Sequence, residues 1–240
     1  MRAIILIARR DLLGYLRTMG GYVIIAALLF ILGLLFNSYG LGGQEKRSAE
    51  VLAVFFRLAS ACTVAVAVLL ATRLVAEEKQ SGTITLLYSA PIRDVEIVLG
   101  KFLSGFAFLG LFLALSTFMP ALIFVNGKVS FGHILAGYLG LLLMGAGSIA
   151  IATLGSALAS TQVVAVILSA VIQVAMYACL WLAHVAERPL SDLFAALAYF
   201  PHFAPFESGL VNGKDVIYYI LVAYVALFSA VRVLEARRWK

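Results

Sequence analysis

Charge is scarce in this chain. Only 12% of its 240 residues are Asp, Glu, Lys or Arg, and 63% are hydrophobic, whereas a soluble domain carries about 25% charged residues. In water a globule of this composition leaves large apolar patches that drive association. That excludes a soluble enzyme and a disordered chain, and leaves an integral membrane protein. Cysteine is nearly absent: Cys62 and Cys179 each lie in an apolar stretch, without metal-ligand spacing or a disulfide framework, and read as small residues facing lipid or other helices. No GxxxxGK(S/T), HExxH, CxxC or GxSxG pattern occurs, so the chain carries no phosphate loop. His133, His184 and His202 are scattered and form no metal set. The apolar runs hold almost no Asp or Glu, so intramembrane catalysis lacks paired carboxylates. A secondary carrier is disfavoured because midplane charges and internal repeats are missing.

What the chain has is long apolar runs. A helix crossing the roughly 30 Å hydrocarbon core needs about 20 apolar residues. Candidate spans cover residues 20–36, 51–71, 102–125, 134–159, 163–184 and 216–231. From Val129 to Ala186 there is no Asp, Glu, Lys or Arg; that stretch is too long for one span and suits two, joined by a hairpin at Ser160, Thr161 and Gln162. A β-barrel would show alternating strands of about ten residues; continuous apolar runs point to helices, which satisfy their own backbone in lipid. The expected fold is an all-α six-helix transmembrane bundle forming one domain over residues 1–240.

An even number of spans puts both termini on one side. Arg2, Arg9, Arg10, Arg17, Arg73, Lys79, Arg93, Lys101, Arg232, Arg237, Arg238 and Lys240 fall on that side, and Lys46, Arg47, Arg57, Lys128, Arg188 and Lys214 on the other. The positive-inside rule then places both termini in the cytoplasm of a multi-pass plasma (inner) membrane protein. The net charge of +6 is explained by this orientation and calls for no nucleic acid.

Residues 1–19 are not a span. At about 100° per residue, Arg2, Arg9, Arg10 and Arg17 share an arc of about 100°, while Ile4, Ala8, Leu12, Tyr15 and Met19 occupy another face, with Leu6 and Leu13 outside the pattern. This is a basic amphipathic helix suited to the membrane interface. It reads either as a topology anchor or as a docking surface for a partner.

The connection Arg73 to Leu103 is richer than a return loop requires. Glu77, Glu78 and Lys79 precede Ser81, Gly82 and Thr83, which look like a turn and a new helix start. A short apolar helix from Ile84 to Tyr88 follows, ended before Pro91. Such a helix, carrying Leu86 and Leu87, is marginal alone and calls for a partner surface. Asp94 and Glu96 then begin the third spanning helix.

The stretch EEKQSGTITLLYSAP resembles the permease subunits of type 2 ABC exporters, whose pattern is an acidic pair, a basic spacer, Gly-Thr, a leucine pair and a proline. The chain end, FPHFAPFESGLVNGKDVIYYILVAYVALFSAVRVLEARRW, resembles the gliding-motility and copper-processing branch. The resemblance implies that residues 77–92 are a coupling helix seated in a groove of a separate ATPase subunit, with Glu77, Glu78, Gly82, Thr83, Leu86, Leu87 and Pro91 carrying the coupling. It implies that the N-terminal helix, with Arg9, Arg10, Tyr15 and Arg17, is the connecting helix. It further implies a second permease copy, identical or related, and ATP-Mg bound by the ATPase subunits, with no cofactor on this chain. An alternative function is a non-transporting membrane subunit that passes ATPase-driven motion to an envelope protein.

On the opposite side, residues 187–214 are greasy: Leu193, Phe194, Leu197, Tyr199, Phe200, Phe203 and Phe206, broken by Pro201 and Pro205. They read as an aromatic belt anchor or as an outer lid that dips back into the bundle. Ser148, Ala152, Ser156 and Ser160 recur every four residues, with Gly137, Gly140, Gly145, Gly147 and Gly155 nearby; such stripes let helices approach closely, within the chain or at a sliding or dimer-facing surface. Arg57 stands near the outer end of its span, where it either snorkels or serves function. Gln173 either lines a path or bridges helices. A reporter fused after Lys240 should read as cytoplasmic; an exported signal would overturn the orientation.

Overall fold

The computed structural model describes residues 2–41, 47–83, 92–126 and 129–238. Among them no strand occurs, and six helices are long and apolar enough to cross a membrane: Met19–Gly40, Ser48–Leu70, Asp94–Val125, Phe131–Leu158, Gln162–Val185 and Gly213–Ala236. We label the helices α1 (Arg2–Arg17), α2 (Met19–Leu35), α3 (Ser48–Leu70), α4 (Ala76–Gln80), α5 (Asp94–Ser116), α6 (Phe118–Asn126), α7 (Phe131–Leu158), α8 (Gln162–Val185), α9 (Leu190–Leu197), α10 (Ala204–Glu207) and α11 (Gly213–Arg238). A π-helical turn, Phe36–Leu41, continues α2.

Local chemistry sets the boundaries. Thr18 is extended (φ −98°, ψ 141°) and separates α1 from α2. The elbow is so tight that a Cβ on Gly21 would stand 2.1 Å from the Tyr15 carbonyl oxygen. This break corrects the expected apolar face of residues 1–19. A single wheel run through Thr18 puts Met19 beside Tyr15, but the helix resets there and Met19 is 87% exposed. The buried stripe of α1 includes Ile7 and Tyr15, while Leu6 faces outward. The Arg93 amide donates to the Glu96 carboxylate across 3.2 Å at the start of α5. The third span is interrupted at Thr117, three residues before Pro120, whose ring excludes the carbonyl four residues back. Between α7 and α8 the chain turns at residues 159–161, and the Thr161 hydroxyl accepts the Val164 amide at 3.4 Å.

α7 is the central helix: 61% of its most apolar window is buried, against 17% for α8 and for α11. Its glycines make that possible. A Cβ on Gly137 would lie 2.2 Å from the Phe56 ring, on Gly140 2.5 Å from Phe206, on Gly145 2.1 Å from Leu109, and on Gly147 2.6 Å from the Tyr199 hydroxyl. Ser148, Ala152 and Ser156 are all fully buried. The small-residue stripe therefore packs within the chain, and the alternative of a dimer-facing or sliding surface is corrected. Ser160 lies in the turn and is exposed.

The stretch after α9 enters the bundle. Tyr199, Phe203 and Phe206 belong to the main hydrophobic core, whereas Leu190, Leu193 and Leu197 on α9 are exposed. The two readings of residues 187–214 thus divide by position: mostly outward-facing before Ala198, inserted from Ala198 to Glu207, and exposed again at Leu210 and Val211.

Overpacking a close-packed site costs about 1–3 kcal/mol. Gly137→Val should therefore lower the unfolding midpoint of the purified chain in detergent, while Gly110→Ala, with nothing within 4 Å of the added methyl, should leave it unchanged or raise it.

Candidate functional site

Parts of α5, α7 and α11 meet at one end of the bundle, called here the base, where Val75, Val98, Ala157, Ala230, Val231 and Leu234 form a small core. The five-residue helix α4 begins there, directly after Val75. Such a helix is too short to satisfy its own ends, and its neighbours complete it. The amides of Val75 and Ala76 both donate to the Ser156 hydroxyl oxygen, each at 2.9 Å. Lys79 Nζ donates to the carbonyls of Ala157 and Ala159, closing the end of α7. The Gln162 amide, at the start of α8, donates to the Gln80 side-chain oxygen at 3.0 Å.

α4 is also held from the other side. Glu78 accepts Arg10 Nη2 at 2.6 Å and Lys101 Nζ at 2.9 Å. Asp11 accepts Arg10 Nε at 2.9 Å and Lys101 Nζ at 2.9 Å. This four-membered ion cluster joins α1, α4 and α5, and Lys101 at its centre is only 2% exposed. Burial opposes the Arg10 charge, but the Asp11 and Glu78 carboxylates outweigh it and hold its pKa above the ordinary value. Burial pushes the Tyr15 phenol well above its ordinary range; its hydroxyl donates to the Arg73 carbonyl at 3.4 Å and its ring meets Phe108 edge-on at 5.6 Å.

Beyond α4 the chain turns. Gly82 has φ +73°, a left-handed conformation that costs glycine little. The Ser81 hydroxyl donates to the Glu77 carbonyl at 2.8 Å, and Ser81 and Thr83 hydroxyls lie 2.8 Å apart. The expected turn at Ser81, Gly82 and Thr83 is present. Leu86, Leu87 and Pro91, with the rest of residues 84–91, lie outside the described residues. Arg9 and Arg17 are exposed on α1. A cavity of about 600 Å³ opens between α1, α4 and α5, bounded by Arg10, Tyr15, Thr18, Arg73, Glu77 and Lys101 among others.

The remaining sequence-derived candidates lie elsewhere. Arg57 does more than snorkel: it forms a two-bond pair with Glu207, through Nη2 to Oε1 and Nε to Oε2, the latter 3.3 Å. His133 Nε2 meets the Glu207 carbonyl at 2.8 Å. Ser148 lies 3.0 Å from the Tyr199 hydroxyl, which donates to the Met144 carbonyl. Gln173 is buried, and its amide atoms have no hydrogen-bond partner among the described residues, so it does not bridge helices by hydrogen bonds. The histidines stay apart: His184 bonds the Leu180 carbonyl and His202 pairs with Asp215 at 2.7 Å.

The sequence reading missed Asp11, Lys101 and Gln80 as members of the site and Glu207 as the partner of Arg57. Asp11 gave a signal in being the sole acid on a basic helix, and Lys101 in standing directly before the uncharged run of the third span.

Removing one member of a buried ion pair costs about 3–5 kcal/mol. Lys101→Met should therefore destabilise the chain strongly. A triple variant that also carries Asp11→Asn and Glu78→Gln should recover part of the loss in thermal unfolding.

A family model described as ABC-2 family transporter protein matches residues 35–231. Among curated proteins, none matches the chain in sequence.

Proposed function

This chain belongs to the ABC-2 family of transporter proteins, and on that premise we propose that it is the membrane-spanning permease subunit of an ATP-driven exporter. It works as a dimer, with separate ABC ATPase subunits docked on residues 77–92 and on α1. ATP-Mg binds those subunits, and this chain contributes no catalytic group. Both termini lie in the cytoplasm, in the plasma (inner) membrane.

The observation that supports this reading most is the wiring of α4. It is hydrogen-bonded to α7 and α8 and ion-paired to α1 and α5. A push on the segment that continues from Thr83 therefore reaches four helices at once. Residues whose role is coupling need no contact with substrate. The interior of one copy is filled, since Tyr199, Phe203 and Phe206 occupy it, which supports a path between copies. The stripe Val163, Ile167, Val171 and Val174 on α8 and the stripe Ile217, Leu221, Tyr224 and Phe228 on α11 are exposed and available to lipid or to a second copy.

The alternative, passing ATPase motion to an envelope protein, draws on the far end of the bundle. There Arg57–Glu207 and His202–Asp215 fasten the inserted stretch to α3 and α11, a linkage suited to moving as one piece.

Leu86→Asp with Leu87→Asp should abolish co-purification with the ATPase subunit while the chain remains membrane-inserted. Unchanged co-purification would count against the coupling assignment. In the Lys101→Met chain that remains folded and membrane-inserted, co-purification with the ATPase should persist while transport is uncoupled from ATP turnover; intact coupling in that fraction would separate the ion cluster from force transmission.

A further inference from the structure

The charges around the cavity at the base sort into two sets. Arg10 and Lys101 are consumed by Asp11 and Glu78. Arg73 and Glu77, which also line it, are left over. Arg73 donates to the Thr18 hydroxyl at 2.5 Å, but among the described residues no carboxylate pairs with it, and no cation pairs with the Glu77 carboxylate. The cavity thus offers one guanidinium and one carboxylate, each with unused capacity, in about 600 Å³, a volume within the range of small-molecule sites.

Its depth in the membrane follows from the helix ends. Thr18 immediately precedes α2, and Arg73 stands three residues beyond the end of α3. Met19, Tyr22 and Val23, at the start of α2, are exposed apolar residues suited to lipid. The cavity therefore lies where the apolar spans give way to headgroups.

We propose that this cavity binds the headgroup of an aminophospholipid, with its phosphate on Arg73 and its primary ammonium on Glu77. A guanidinium presents a planar fork of N–H donors that suits phosphate. A carboxylate accepts N–H bonds that a primary ammonium supplies and a quaternary one lacks. A glycerol headgroup satisfies Arg73 alone. The cavity shares Glu77 and α1 with the surface proposed above for ATPase docking, but lipid binding rests on membrane insertion alone and is tested without the ATPase, so its failure leaves the function proposed above standing.

The test uses the full chain, purified without ATPase and stripped of lipid, and reads lipid retention by native mass spectrometry. Phosphatidylethanolamine should be retained about tenfold more tightly than phosphatidylglycerol or phosphatidylcholine of the same acyl chains, which corresponds to about 1.4 kcal/mol. Glu77→Gln should bring phosphatidylethanolamine down to the phosphatidylglycerol level, and Arg73→Gln should weaken both. Soluble O-phosphoethanolamine should compete with the lipid and raise the unfolding midpoint of the unmodified chain, which identifies the headgroup, and not the acyl chains, as the recognised part. Equal retention of the three lipids by the unmodified chain overturns the proposal, whether or not the variants fold. So does a Glu77→Gln chain that keeps the preference, or an unmodified chain that does not respond to O-phosphoethanolamine.

Discussion

A helix end buried against its neighbours cannot leave its backbone groups bare, because water cannot reach to take them. That requirement organises the base of this protein. The start of α4, the end of α7 and the start of α8 all terminate at one place, and each uses the others to close. Ser156 takes two amides from α4, Lys79 takes carbonyls from the α7 end, and Gln80 takes the first amide of α8. Because the partners are reciprocal, no one of the three ends is complete without its neighbours. Four charges then fasten the same short helix to α1 and α5. In a low-dielectric setting such a cluster is costly unless every member is matched, which makes its geometry exacting.

The far end of the bundle answers a related problem in another way. Glu207 is nearly buried and would be expensive as a lone carboxylate. Arg57 on α3 neutralises it while keeping its own side chain largely in contact with the surroundings. His202 Nδ1 lies 2.7 Å from the Asp215 carboxylate, and the His202 ring stacks on Tyr218 with ring centres 3.9 Å apart. The stretch that carries Glu207 also carries the aromatic rings that fill the core. Charge matching at its edge and apolar packing in its middle therefore hold one segment by two independent means.

Much of the fold could be read directly from residues. Six apolar runs, the uncharged stretch Val129–Ala186 and the Ser-Thr-Gln turn sufficed for the bundle, because lipid leaves a helix few alternatives. Tyr15 was readable as an inward position of α1, but Met19 was not, because the break at Thr18 depends on how α1 packs on α5 and resets the wheel. The glycines of α7 announced close approach but not the partner: Phe56, Leu109, Tyr199 and Phe206 come from α3, α5 and the inserted stretch, and nothing local names them. The site was half legible. The Ser81–Gly82–Thr83 turn was legible from its residue types and the coupling role of Glu77 and Glu78 through the resemblance, whereas the cluster around Lys101 needs Asp11 and Glu78 brought from distant parts of the chain. Leu86, Leu87 and Pro91 rest on sequence alone.

The glycine notches of α7 have a consequence for how the chain comes together. Gly140 and Gly147 are notches in that helix, and the rings that occupy them, Phe206 and Tyr199, are synthesised after α7 and α8. The notches therefore exist before their keys. A chain halted after its fifth crossing would leave those two notches unfilled, and acyl tails fill them poorly. Such a fragment would be an unfinished object, not a smaller protein of the same kind, and membrane quality control has there a surface by which to tell the two apart.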